Sequence, residues 1–350
     1  MIHQSSLLQW YLKLMNNQTA LIYAIGLIVL MTIALIAVIL GPVEINYLNS
    51  LSAHAEPVQN YILWQVRLPR ILFAITIGAS LGLAGALTQG LFRNPLADPG
   101  LLGVSSGAVA AAAGAIVFSG SWAWAIPEGL RIWVLPLAAF CGALSICFLL
   151  DRLARWLTPG SVMGLLLTGI AINALVAAFI GLSTYLANDQ QLRNLSFWTM
   201  GSLAGVNWMV LSLMIFVLAV AFLCSQKLTL QINALSLGEA VAAQVGINLK
   251  QLRQRIIVMV AILSACAVAW CGMIGFISLI APHIARSIAG PDHRQVLPLS
   301  ILFGGLLLLL ADTLARTVAI PAEIPVGIFT ALLGAPFFLS LLAKQRRVLI

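Results

Sequence analysis

Charge is the scarcest property of this sequence. Only 18 Lys and Arg and 10 Asp and Glu occur among 350 residues, 8% in all, where a soluble domain carries roughly 25%. So few charges cannot cover a water-facing surface, which excludes an ordinary soluble fold and makes lipid the main solvent. Other absences narrow the chemistry. No lysine follows a glycine, so the core of a P-loop is missing and nucleotide is not bound in that way. No DDxxD-type cluster exists to hold a metal–diphosphate. His283 and His293 lack the i, i+4 spacing of a helical metal pair, and no metal site is expected. The cysteines, Cys141, Cys147, Cys224, Cys266 and Cys271, fall in or at the ends of apolar runs without zinc-site spacing and read as buried free thiols. Acidic residues lie almost wholly at span ends or in loops. Asp312 and Glu323 come nearest the membrane, flanking a loop with Arg316, and local ion pairing accounts for them. An ion-coupled secondary carrier places acids at mid-membrane, so that class is the disfavoured alternative.

What is present is apolar length. Hydrophobic residues make up 61% and the mean hydropathy is +1.05. Runs of about 17–25 residues, long enough to cross a ~30 Å hydrocarbon core as helices, recur throughout. They are continuously apolar rather than alternating, which excludes a barrel. The expectation is an all-α polytopic membrane protein with about ten transmembrane helices, at 20–40, 67–90, 100–118, 132–150, 161–186, 207–225, 256–272, 273–289, 297–311 and 325–343. Gly272 and Gly275 are the expected break in the long 256–289 stretch. Residues 1–18 lack a signal-peptide pattern. Leu7 to Leu14, with Trp10 and Tyr11, suit a short interfacial helix. Residues 1–19 are thus read as a terminal segment and 20–350 as one transmembrane domain.

The net charge of +8 suits topology better than nucleic-acid binding. With ten spans, Arg67, Arg70, Arg131, Arg193 and Arg316 fall on one side and the remaining thirteen basic residues, from Lys13 to Arg347, on the other. The positive-inside rule makes the second side cytoplasmic, with both termini there.

Several local patterns stand out. Gly78, Gly82, Ala86 and Gly90 recur every fourth residue, a smooth helix face for close packing beside a transport path. In Arg93-Asn-Pro-Leu-Ala-Asp-Pro-Gly100, two prolines break the helix into a rigid turn. The polar stretch 187–206 suits a short helix on the outer side, with Trp198 and Trp208 at the interface. Ser236-Leu237-Gly238-Glu239 has the form of a capping box, and Gly246 that of a C-terminal cap, so 237–245 is predicted to be a short surface helix containing Ala240 and Gln244. The apolar segment from Gly272 closes on His283, Arg286, Asp292, His293 and Arg294, as a helix leaving a bilayer would.

These motifs, taken in order, carry a resemblance. Arg67-Leu-Pro-Arg70, GASLGLAGALTQGLFRNPLADPGLLGVSSGA (78–108), GFISLIAPHIAR (275–286), DHR (292–294), AD (311–312) and EIPVGIFTALLGAPFFLSLL (323–342) resemble the shared motifs of the FecCD-type permeases. These are membrane subunits of bacterial type II ABC importers for iron chelates, haem and vitamin B12. The resemblance implies a non-catalytic homodimer in the inner membrane, working by alternating access. Two ABC ATPase subunits carrying ATP–Mg and one periplasmic binding protein are its implied partners, besides membrane lipid. It implies that Arg67, Arg70 and Arg316 pair with acids of the binding protein; an arginine can grip a carboxylate with two parallel hydrogen bonds. It implies that Ser236, Leu237, Gly238, Glu239, Ala240, Gln244 and Gly246 couple to the ATPase, supported by His283 and Arg286. The stretch 189–202 is most similar to the haem-importing branch, making haem the expected cargo, with no resident cofactor. Ferric siderophore and cobalamin are the alternatives.

Overall fold

The computed structural model describes residues 2–41, 57–118, 127–159 and 162–346, and these are helical without a strand. The helices are α1 (Ile2–Ile39), α2 (Pro57–Phe92, with a π-helical stretch Ile62–Arg67), α3 (Val104–Phe118), α4 (Glu128–Leu157), α5 (Val162–Leu186), α6 (Asp189–Met200) and α7 (Trp208–Gln226). Two short helices follow, α8 (Thr229–Ser236) and α9 (Glu239–Gln244), then α10 (Leu249–Cys271), α11 (Ile277–Ala289), α12 (His293–Thr317) and α13 (Val326–Arg346). Among the described residues, seven helices are long and apolar enough to cross a membrane, and α3, α11 and the Val326–Ser340 part of α13 are shorter apolar helices. Each of the ten expected spans coincides with one of these. Residues 7–14, expected as a separate interfacial helix, instead run without interruption into the first span. Arg347 lies outside the described residues.

The break between α10 and α11 falls where glycine permits it. Gly272 takes φ +67°, and a Cβ there would sit 2.0 Å from the Trp198 carbonyl oxygen. Only glycine combines that left-handed backbone with so close an approach. The Ser202 N–H donates to the Cys271 carbonyl at 2.8 Å, satisfying an orphan acceptor at the end of α10.

Helix α2 is the centre of the bundle, and its glycines explain why. A Cβ at Gly78 would lie 2.2 Å from the Gly304 carbonyl oxygen, and one at Gly82 would lie 2.0 Å from that of Ser300, both on α12. The approach is reciprocal, since a Cβ at Gly304 would meet the Gly78 carbonyl at 2.2 Å. In lipid, where apolar burial drives helix association weakly, such backbone contact supplies dispersion instead. Ala86 is wholly buried. Gly90 belongs to a different contact: its missing Cβ leaves room for Ile232 of α8 and the His293 ring. Gly85, one residue off the expected stripe, packs against the Ser278 backbone of α11. Around this centre, apolar side chains on α1, α5 and α7, such as Leu35, Leu175 and Phe216, are exposed, as suits a lipid-facing perimeter.

Candidate functional site

Two polar regions occupy opposite ends of α2. At its N-terminal end the three arginines singled out in the sequence come together. Arg67, on the last turn of the π-helical stretch, donates from Nη1 to the carbonyls of Val38 (2.7 Å) and Ile39 (3.3 Å). Arg316, on the last turn of α12, donates from Nη2 to Ala37 (2.7 Å) and from Nη1 to Leu40 (3.2 Å). The last carbonyls of a helix have no partner within it, and two cations at this terminus also complement the negative end of its dipole. Arg70 donates from Nε and Nη2 to Asp312 Oδ1 (3.0 and 2.9 Å), and from Nη1 to both oxygens of Glu323 (2.9 Å each). The second oxygen of Asp312 lies 3.4 Å from Arg316 Nε. Asp312 is completely buried, and Arg67, Arg70 and Arg316 are nearly so.

Within the chain, all three arginines of the implied docking set have structural partners. The three guanidinium groups are turned inward and committed to helix carbonyls and carboxylates of their own chain. The physical reason is the cost of leaving a buried charge unpaired. The local pairing expected with Arg316 is present for Asp312 at 3.4 Å, whereas Glu323 pairs with Arg70, which sequence distance concealed.

At the other end, α2 runs out at Arg93, which adopts a left-handed conformation (φ +50°). In the turn that follows, Asp98 accepts from the Gly100 N–H (2.7 Å) and from the Ser278 hydroxyl of α11. Burial pushes the Asp98 carboxyl above the usual carboxylate range, and those two hydrogen bonds partly offset it. Gln89 donates to the carbonyls of Ser278 and Leu279 and accepts from Arg286. Asn233 of α8 ties in the start of α12: it donates to Asp292 Oδ1 (2.6 Å) and accepts from the His293 N–H (2.9 Å). The His293 ring Nδ1 lies 2.8 Å from the same Asn233 oxygen. His283 instead stacks edge-on against Phe337 of α13, with ring centroids 5.6 Å apart.

The short helices border this network, α8 packed into it through Asn233 and Ile232. The helix predicted for 237–245 is α9, but it begins at Glu239 without the capping box. Ser236 ends α8 and its hydroxyl donates to the Asn233 carbonyl, while Gly238 precedes α9 at φ +121°. Glu239 is drawn away from a capping role by Arg253 (2.7 Å) and Arg93 (3.3 Å). Gly246 does cap the C-terminus: its N–H donates to Ala243 and that of Ile247 to Ala242, a Schellman motif with Gly246 at φ +84°. Leu237 before α9, Val241 within it and Val245 at its end are exposed apolar residues. Val241 and Val245 were not singled out in the sequence.

The chain matches the FecCD transport family over residues 27–344. It belongs to that family. It is 41% identical to the hemin transport system permease protein HmuU of Yersinia pestis over 329 residues, covering 94% of this chain and 97% of the relative. It is 40% identical to the Fe(3+) dicitrate permease FecD of Escherichia coli, covering 82% and 86% of the two chains. It is 42% identical to the vitamin B12 permease BtuC of Salmonella paratyphi A, covering 85% and 87%. A solved structure described as an inward-facing metal-chelate type ABC transporter superposes with a TM-score of 0.78 at 33% identity, covering 91% of this chain and 97% of that one. This FecCD-family chain is therefore the multi-pass, inner-membrane permease subunit of an ABC importer, which the sequence motifs anticipated.

Proposed function

We propose that this permease carries haem from periplasm to cytoplasm. The observation that supports this reading is the match to the hemin permease, which spans 97% of that relative. Helix α6, with its Asn188–Gln191 capping box, holds the stretch that resembles the haem branch. Haem is the cargo, and no cofactor resides in the permease. Two copies form the translocation path between them, and two ABC ATPases bind ATP–Mg below. Both termini lie on that cytoplasmic side. A periplasmic binding protein sits above, on the end of the bundle that the arginine cluster holds together.

The exposed apolar side chains of Leu237, Val241 and Val245, on and beside α9, support it as the element that enters the ATPase. Glu239, clamped by Arg93 of the α2 terminus and Arg253 of α10, joins it to two long helices. The Asn233 contacts join α8 to α12. A push on this corner therefore reaches helices that border the path, which is the link alternating access requires. Ferric dicitrate and cobalamin are the competing cargoes, because relatives named for them match over similar lengths. The test is ATP-driven uptake in liposomes. Permease, ATPase and binding protein are reconstituted together and offered haem, a ferric siderophore and cobalamin in parallel. Uptake of haem alone is expected. Uptake of another chelate without haem refutes the cargo and retains the family.

A further inference from the structure

A cleft of about 810 Å³ opens beside the α9 corner, between the C-terminal end of α4 and the N-terminal ends of α5 and α10. Neither the exposed Leu237, Val241 and Val245 nor the arginine cluster lines it. Its size is that of a small-molecule site, and its walls are of two kinds. Leu91, Phe92 and Ile257 line the interior with apolar surface. The rim carries Arg152, Arg155, Lys250 and Arg253 against only two acids, Asp151 and Glu239. Both acids are already neutralised, Asp151 by Arg155 at 2.7 Å and Glu239 by Arg253 at 2.7 Å. Arg152 and Lys250 are exposed, and neither has an acidic partner among the described residues. The cleft therefore carries two surplus positive charges over an apolar floor. Lys250 also stands on the first turn of α10, where the helix dipole favours an anion.

The position of the mouth identifies the solvent it meets. Phe148, Arg152 and Trp156 follow one another at i, i+4 and i+8 on α4, and Phe148 and Trp156 are exposed. That stripe is apolar along the span and becomes cationic at its last turns. Trp156 stands at the lip, a residue suited to the headgroup level of a bilayer. A ligand entering here along the stripe needs hydrocarbon for the floor and a negative group for the rim.

We propose that this cleft is a binding site for an anionic phospholipid. One acyl chain occupies the apolar floor, and the phosphate rests between Arg152 and Lys250. Basic pockets between transmembrane helices on the cytoplasmic side hold anionic headgroups in this way. The bound lipid bridges the end of α4 to the start of α10, next to Glu239.

The assembled transporter is the material for the test, in nanodiscs containing phosphatidylglycerol and phosphatidylcholine with identical acyl chains. Native mass spectrometry then reads which lipid is retained. Each basic residue near the surface contributes about fivefold in affinity for an anionic lipid, so wild type is expected to prefer phosphatidylglycerol. In the Arg152→Gln/Lys250→Gln variant that preference is expected to fall roughly 25-fold. Equal retention of the two lipids by wild type overturns the proposal, as does an unchanged preference in the variant. A second measurement leaves both cations intact: a photo-crosslinking residue replaces Trp156 in the assembled transporter. Cross-links to phosphatidylglycerol are expected. Cross-links to the ATPase alone assign the cleft to a protein partner and overturn the lipid.

Discussion

Replacing Arg70 by methionine separates an arginine that builds the permease from one that grips a partner. Methionine keeps much of the volume and removes all of the hydrogen bonds to Asp312 and Glu323. Asp312 is wholly buried, so it cannot recover the loss from water. Removing one partner of a buried pair costs about 3–5 kcal/mol. Asp312 still has Arg316 Nε at 3.4 Å, and Glu323 is 40% exposed and rehydrates, so the lower figure, about 3 kcal/mol, is the expected loss. At about 2–4 °C per kcal/mol for a large domain, the melting midpoint falls by roughly 6–12 °C. Cys141 and Cys224 are exposed, contrary to the expectation of buried thiols, and are first blocked; Cys147 and Cys271 are buried, and a thiol-reactive fluorophore then reads their exposure on heating the purified permease in detergent. The double variant Arg70→Met/Asp312→Leu is expected to regain part of the loss, because no orphaned carboxylate is left behind. An exposed docking residue moves stability by no more than about 0.5 kcal/mol. An unchanged midpoint in Arg70→Met, together with weakened capture of the binding protein, would refute the inward assignment and restore the partner-gripping role.

Two other predictions test the packing and the coupling face. Gly82→Ala places a methyl 2.0 Å from the Ser300 carbonyl oxygen, so helix separation is expected to cost about 1–3 kcal/mol or more. Gly181→Ala on α5 meets nothing within 4 Å and is expected to be neutral or stabilising by up to about 1 kcal/mol; the same thermal assay compares the two, and equal effects would remove the close-packing argument. Val241→Asp/Val245→Asp alters only exposed positions, so the permease is expected to fold with its midpoint unchanged. ATPase co-purification is expected to fall at least tenfold; retention at the wild-type level would show that this face is not the contact.

Much of this protein was legible in the chain. Apolar length decided the helices, because a lipid-facing backbone has no other way to satisfy its hydrogen bonds. Every expected span found its helix, Gly272 marked the α10–α11 break, and Gly246 marked the end of α9, since each needs a backbone that glycine alone adopts easily. Ordered motifs carried the family. Tertiary structure decided what the polar residues do. For Arg67 and Arg70 the sequence displays a charge but not what it holds within the chain. Their partners lie across the bundle, at the end of α1 and at Asp312 and Glu323, and only folding brings these within hydrogen-bond reach. Ser236 and Glu239 fit a capping box locally, yet Arg253 and Arg93 offer Glu239 opposite charge where the box offers one backbone N–H. The cationic rim of the α4–α10 cleft is likewise invisible along the chain. Arg152 and Lys250 are 98 residues apart in number, and they share a site because helices of set length return their ends to one face of the membrane.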